Sequence, residues 1–254
     1  MVKKILSIVL WVVTAAALVV LFVFSRENYL NAPVKAVNLI PESDSGFVRR
    51  SELRNEIVGI CDRHSIGTVN MVAIQRHLED NPWIESSASF IDLNGTLNVN
   101  FKEYEPSFRV FGKDGHSVYV TDNGVVVPAS SNYTPYVLIA SGNFSIASDS
   151  TTYQLCDTLD RDRNIINALY WHKAIESNPF IKNCVGQLYC NSHNEFELTV
   201  RGLEARVIVG DTCLAADKLR RLEIFMKQRL DKPETHILNT INLNYKNQIV
   251  CTKR

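Results

Sequence analysis

The groups in this sequence with the widest chemical reach are carboxylates, thiols and imidazoles, and their spacing decides what they could do. Asp160-Arg161-Asp162 sets two carboxylates two residues apart, the pattern with which many glycosyltransferases hold a metal ion. The triplet also stands just before a helical pattern, where acidic side chains offset the free N–H groups of a first turn, and that reading is preferred. Cys184, Cys190 and His193 carry zinc-ligating atoms, yet they form one cluster without the spacing of a structural zinc site. His64, His77, His116, His172 and His236 lack a serine, cysteine or glycine-rich elbow in a catalytic setting. The expectation is no catalytic residue, no metal, no cofactor and no enzymatic activity. A membrane-anchored, glycosyltransferase-like enzyme using Asp160 and Asp162 is the alternative.

Other residues bear on binding. Trp83 follows Pro82 at a helix-to-strand junction, which favours a place in the core over an exposed anchor. Lys218, Arg220, Arg221, Lys227 and Arg229 are expected on the outer face of an amphipathic helix, with Leu219, Leu222, Phe225, Met226 and Leu230 inward. Such a basic face could meet acidic peptidoglycan stems or an acidic partner helix, although solvation alone accounts for it. Asn94-Gly95-Thr96, Asn132-Tyr133-Thr134 and Asn143-Phe144-Ser145 are glycosylation acceptors only in a eukaryotic secretory pathway and otherwise read as turns. Lys plus Arg (27) balance Asp plus Glu (27), so no basic field attracts nucleic acid. Six cysteines show no paired framework; a Cys184 to Cys190 bridge and strand-buried thiols both remain open.

The elements that must position these residues begin in a membrane. Residues 5–24 contain no charge, and their only polar side chains are Ser7 and Thr14. A helix of that length spans roughly 30 Å, the thickness of a bilayer's hydrocarbon core. A cleaved signal peptide would have a shorter apolar core and a polar cleavage region, whereas Ala15-Ala16-Ala17 runs straight into Leu18-Val19-Val20-Leu21. Lys3 and Lys4 favour a cytoplasmic tail (1–4), and 25–33 reads as a polar linker.

About 230 residues remain, enough for two modest domains. Val34 to Ile40 reads as a strand, followed by a turn over Pro41 to Gly46. Ser51 is expected to cap a helix with Leu53, Ile57 and Ile60 on one face, and Asn70 a second with Met71, Ile74 and Leu78. Ile84, Ser86, Ala88 and Phe90 are predicted to share one strand face. Asn94-Gly95 turns the chain, and Leu97, Val99 and Phe101 share a face of the next strand. The order is β-α-α-β-β. Beyond Pro106 the pattern changes to short strands at 108–111, 117–120, 125–127 and 136–140, a helix at 162–177, and strands at 185–190, 195–201 and 205–209. A helix over 214–230 and a closing hairpin follow, the hairpin alternating at Ile241, Leu243 and Tyr245, turning near Lys246-Asn247 and ending through Ile249 and Cys251. That hairpin is expected to leave an unpaired sheet edge.

Asn81-Pro82-Trp83-Ile84, Gly95-Thr96-Leu97, Glu103-Tyr104-Glu105-Pro106, Tyr119-Val120-Thr121-Asp122-Asn123-Gly124, Lys218-Leu219-Arg220-Arg221-Leu222 and Ile241-Asn242-Leu243-Asn244-Tyr245 occur in an order that resembles the bacterial FtsQ/DivIB cell-division family. The β-domain strand in Gly202 to Gly210 belongs to the same resemblance, which covers nearly the whole chain. It departs at Asn242 and Asn244, where the family has Asp and Arg. The resemblance implies an α+β protein: one N-terminal transmembrane helix, a β-α-α-β-β POTRA domain (34–104) and a C-terminal mixed β-sheet domain with flanking helices (105–254). It also implies a non-enzymatic scaffold of the inner membrane, with its C-terminal domain in the periplasm at the division septum. FtsB-like and FtsL-like membrane proteins would be its partners, and septal peptidoglycan synthesis the process it helps control. The positions matching the family's FtsB-binding strand are Asn244, Tyr245, Asn247, Gln248, Ile249 and Val250; Tyr245 is either a hot-spot anchor or an inward core residue. A POTRA-bearing envelope assembly factor is a further alternative, but no series of long lipid-facing strands follows Pro106.

Overall fold

Helix α1 (Val2–Asn31) opens the chain in the computed structural model, which describes residues 2–43, 46–62, 64–156, 158–229, 232, 235 and 237–254. From Val9 to Phe24 its apolar side chains stand exposed, Trp11 and Phe22 among the most. Such a surface calls for lipid rather than water, and it fits a single-pass membrane protein. The segment expected as a linker at 25–33 is helical as far as Asn31. No residue in Ser25 to Leu30 breaks a helix, and Pro33 is the first that does. Carbonyls at the end of α1 and just beyond it are satisfied from outside: Gly67 donates to Leu30 O at 2.8 Å and Ile66 to Ala32 O at 2.8 Å.

Two compact units, Met1–Glu103 and Tyr104–Arg254, divide the chain. The first continues with β1 (Ala36–Pro41), α2 (Arg50–Cys61), α3 (Met71–Glu79), β2 (Ile84–Ile91) and β3 (Thr96–Glu103), in the expected order. Its sheet runs β1-β3-β2, with β1 parallel to β3 and β2 antiparallel. Leu53 and Ile57 of α2 with Ile74 and Leu78 of α3 pack on Leu97, Val99 and Phe101 of β3. Asn70 caps α3 through Ala73 N as expected. Ser51 does not cap α2; the helix begins at Arg50 behind Arg49, with no side-chain cap, and its inner stripe is Leu53, Ile57 and Cys61. Of the turn at Pro41 to Gly46, Asp44 and Ser45 lie outside the described residues. Buried Glu103 accepts from Phe47 N at 2.8 Å, which holds the entrance to α2.

A β-bulge overturns the expected face of β2. Ile84 opposes Glu103 but Ser86 opposes Lys102, so Glu85 is an extra residue in the ladder. Because side chains alternate with period two, one extra residue exchanges the faces. Ser87, Ser89 and Ile91 therefore join the side of Phe101, Val99 and Leu97, while Phe90 is 50 % exposed opposite Asn98.

In the second unit, β4 (Pro106–Phe111), β5 (Ser117–Thr121), β6 (Val125–Pro128), β7 (Leu138–Gly142), β8 (Tyr153–Gln154), β9 (Val185–Cys190), β10 (Phe196–Val200), β11 (Arg206–Gly210), β12 (Leu238–Asn242) and β13 (Val250–Lys253) form one mixed sheet. Its order is β13-β12-β11-β10-β9-β7-β4-β5-β6-β8. Helices α4 (Asp160–Glu176), α5 (Pro179–Cys184) and α6 (Ala215–Arg229) contact one another, and α4 packs on β4 and β9. Trp171, Ile165, Leu219 and Leu222 fill the core against Leu188, Leu198 and Val207. The two-residue β8 and the six-residue α5 lie outside the elements expected from periodicity. Asn178-Pro179 does stop α4, but Asn178 accepts from Phe180 N and Ile181 N and so also starts α5, with Pro179 in its first turn. Leu230, expected inward on α6, lies outside the described residues.

Candidate partner-binding edge

Strand β13 is the last in the sheet order, and all four of its residues are exposed. Among the described residues it pairs only with β12, antiparallel, Asn242 opposite Val250 and Ile241 opposite Cys251, with Thr240 Oγ1 and Thr252 Oγ1 2.6 Å apart. Arg254 N donates to Ile237 O at 2.9 Å and closes the end of the hairpin. The alternation read through Tyr245 ends earlier: β12 stops at Asn242, and buried Leu243 still donates to Ile208 O at 2.9 Å. Tyr245 falls beyond the strand and is 48 % exposed.

Between the strands the chain makes a turn held from below by α6. Arg221 Nη1 donates to Tyr245 O and to Gln248 O, both at 2.8 Å, and Nη2 to Leu243 O at 3.0 Å. Its Nε donates to Asp217 Oδ2 at 3.0 Å. Hydrogen bonding from Arg220, with the Arg221 charge, holds the Asp217 carboxyl below its ordinary value. One turn earlier the buried Lys218 ammonium donates to Val209 O at 2.8 Å and to Asp211 O and Oδ1 at 2.9 Å. It also stands 5.8 Å from the Trp171 ring centroid. The Lys218 ammonium in turn lowers the Asp211 carboxyl. These contacts correct the outward placement expected for Lys218 and Arg221. Lys218, Leu222 and Met226 recur at i, i+4 and i+8, so the periodicity did carry that signal, but the charge concealed it.

Asn244, Tyr245, Asn247 and Gln248 are exposed in this turn, and Val250 begins β13; Ile249 is half-buried against the core. Asn244 N donates to Asn242 Oδ1 at 2.9 Å. The Asn244 amide lies so close to Gly210, which has φ +66°, that a Cβ there would stand 2.2 Å from Oδ1. Asn247 takes φ +60°, a left-handed conformation that asparagine tolerates.

The groups weighed for catalysis do not converge. Asp162 is buried and accepts from Cys156 N at 3.0 Å, whereas Asp160 is exposed and pairs with Arg163 at 2.8 Å. Among the described residues no three ligating side chains gather for a metal. Cys184, the last residue of α5, and Cys190, the last of β9, are free thiols separated by the length of that strand, roughly 20 Å at about 3.3 Å per residue, which rules out a bridge between them. Burial pushes the Cys190 thiol up to about 11. His172 is buried, stacks on Phe108 at 5.4 Å and lies 3.6 Å from Asp122; burial lowers its pKa against the pull of Glu176 and Asp122. His236 lies outside the described residues. In the first unit Trp83 is half-buried against the core, and a cleft of about 460 Å³ is lined by Lys35, Val58, Cys61 and His64.

The family model described as FtsQ/DivIB, C-terminal related, matches residues 105–252, from just before β4 into β13. The chain belongs to the FtsQ/DivIB family. No curated protein matches it. FtsQ/DivIB is a family of cell-division scaffolds, and in this member the matched region includes the clamped turn and the start of the exposed edge strand.

Proposed function

We propose that this FtsQ/DivIB chain is a non-enzymatic divisome scaffold of the inner membrane. Its N-terminus is cytoplasmic, residues 34–104 form a POTRA domain, and 105–254 form the periplasmic domain that recruits FtsB-like and FtsL-like proteins and so helps control septal peptidoglycan synthesis. The observation that carries the reading is β13, an edge strand exposed along its whole length. An extended partner segment can add to such an edge, main-chain bonds providing affinity and alternate side chains selectivity. Asn244, Tyr245, Asn247 and Gln248 offer polar and aromatic contacts at its entrance, with Ile249 beneath them, and Val250 adds an apolar contact at the start of the strand. Because Arg221 holds three carbonyls of the turn, less conformational freedom is lost on binding.

The test is partner capture by the full chain from membranes. Tyr245→Ala should weaken recovery of FtsB-like protein roughly tenfold or more, as loss of an aromatic hot spot does. Truncation after Leu243 removes β13 and the turn before it, with their side chains, and should abolish recovery, with circular dichroism reporting whether the domain stays folded. Full binding by a folded Tyr245→Ala chain and a folded truncation would rule the edge out. Normal septation after depletion, with no division protein recovered, would rule out the scaffold.

A further inference from the structure

The parallel pairing of β1 with β3 places the β2–β3 turn at one particular end of the first sheet. The chain leaves α1 at Asn31 and enters β1 at Ala36, which is opposite Thr96, the first residue of β3. The turn at 92–95 therefore lies at the end of the sheet where the chain arrives from the apolar helix. Two bonds fasten it there: Tyr29 Oη donates to Asp92 O at 2.8 Å, and Lys35 N donates to Gly95 O at 2.9 Å. The turn is also internally fixed. Asp92 Oδ1 accepts from Asn94 N and Thr96 N at 2.9 Å each, Gly95 N donates to Asp92 O at 3.0 Å, and Gly95 takes φ +83°. At its tip Leu93 is 91 % exposed.

A single exposed leucine ordinarily means little. This one is carried by a rigid turn bonded to the end of the membrane helix. Tyr29 lies five residues beyond Phe24, the last of the uncharged run, or about 7.5 Å along the axis. Helical side chains tilt toward the N-terminus, so Tyr29 Oη and its acceptor Asp92 lie closer to the hydrocarbon than that. The polar headgroup layer is roughly 5–7 Å deep on each side, and tyrosine commonly marks it. We propose that Leu93 seats at the headgroup–acyl boundary of the leaflet from which α1 emerges, making the β2–β3 turn a second membrane contact. The partner is the phospholipid surface: Leu93 enters the acyl boundary, and the exposed Lys35, whose stem lies 3.7 Å from the Cβ position of Gly95, meets lipid phosphate. The inference rests on α1 crossing the bilayer.

The experiment uses the full chain in phosphatidylethanolamine–phosphatidylglycerol vesicles containing lipid with a nitroxide near the head of its acyl chain. An environment-sensitive fluorescent amino acid replaces Leu93, Leu18 or Glu42 in separate samples. Quenching at 93 should exceed that at 42, beyond the far end of β1, several-fold, with 18 as the membrane reference. With the probe in place of Asn94, Leu93→Asp should reduce quenching several-fold, and the exposed position keeps the fold intact. Quenching at 93 no greater than at 42, with 18 quenched, overturns the proposal and leaves the membrane helix standing. An unquenched probe at 18 overturns the membrane-spanning reading and this inference with it.

Discussion

Lys218 and Arg221 illustrate how a charged side chain on an amphipathic helix can be a structural fastener. Each donates to backbone carbonyls beside α6: Lys218 to Val209 O and Asp211 O, and Arg221 to Leu243 O, Tyr245 O and Gln248 O. Lys218→Met keeps the length but leaves Val209 O and Asp211 O without this donor, and should cost about 1–3 kcal/mol in urea denaturation. Arg221→Ala acts where water can reach the freed carbonyls, so the expected result is faster amide exchange over 243–249 and weaker partner capture, with a stability loss of only about 1 kcal/mol. His172 adds a pH dependence. Its folded pKa is lowered mainly by burial, so the unfolded chain binds the proton more readily. That stability is fully present above the ordinary histidine value of about 6.5 and is lost as pH falls toward the lowered one. Denaturation midpoints measured across that window should fall with pH, and His172→Gln should flatten this part of the slope.

At the scale of elements, the bulge in β2 and the free edge of β13 both follow from how ladders count residues. With Glu85 extra, Phe90 faces outward, so Phe90→Ser should change stability by no more than about 0.5 kcal/mol, while Phe101→Ala, in the core, should cost about 3–5 kcal/mol. Comparable losses from the two variants would show that the register is wrong. The β2–β3 turn joins the same argument: its end of the sheet was settled when β1 paired parallel with β3.

For the whole molecule, a lipid-bound α1 confines the rest of the chain to a thin layer beside the bilayer, which raises its effective concentration for partners anchored in the same membrane without any new contact. A chain lacking residues 2–24 should leave the membrane fraction. In intact membranes its recovery of FtsB-like protein should fall roughly 10²-fold, while binding to a soluble partner peptide is unchanged. Equal recovery with and without the helix would show that anchoring contributes nothing.

Local chemistry made much of this protein legible without coordinates. The uncharged run through Phe24, the helix start at Asn70 and the order β-α-α-β-β follow from hydrophobic period, capping and turn residues, all encoded within a few positions of one another. The candidate residues from Asn244 to Val250 were found only through resemblance, and their exposure depends on where β12 stops. Tertiary structure decided what depends on distant partners: β1 running beside β3, the ten-strand order that leaves β13 outermost, and the inward turn of Lys218 and Arg221. A lysine's charge predicts solvent from sequence alone. Only the arrival of β11 and the β12–β13 turn beside α6 supplies the carbonyl groups that draw Lys218 and Arg221 inside.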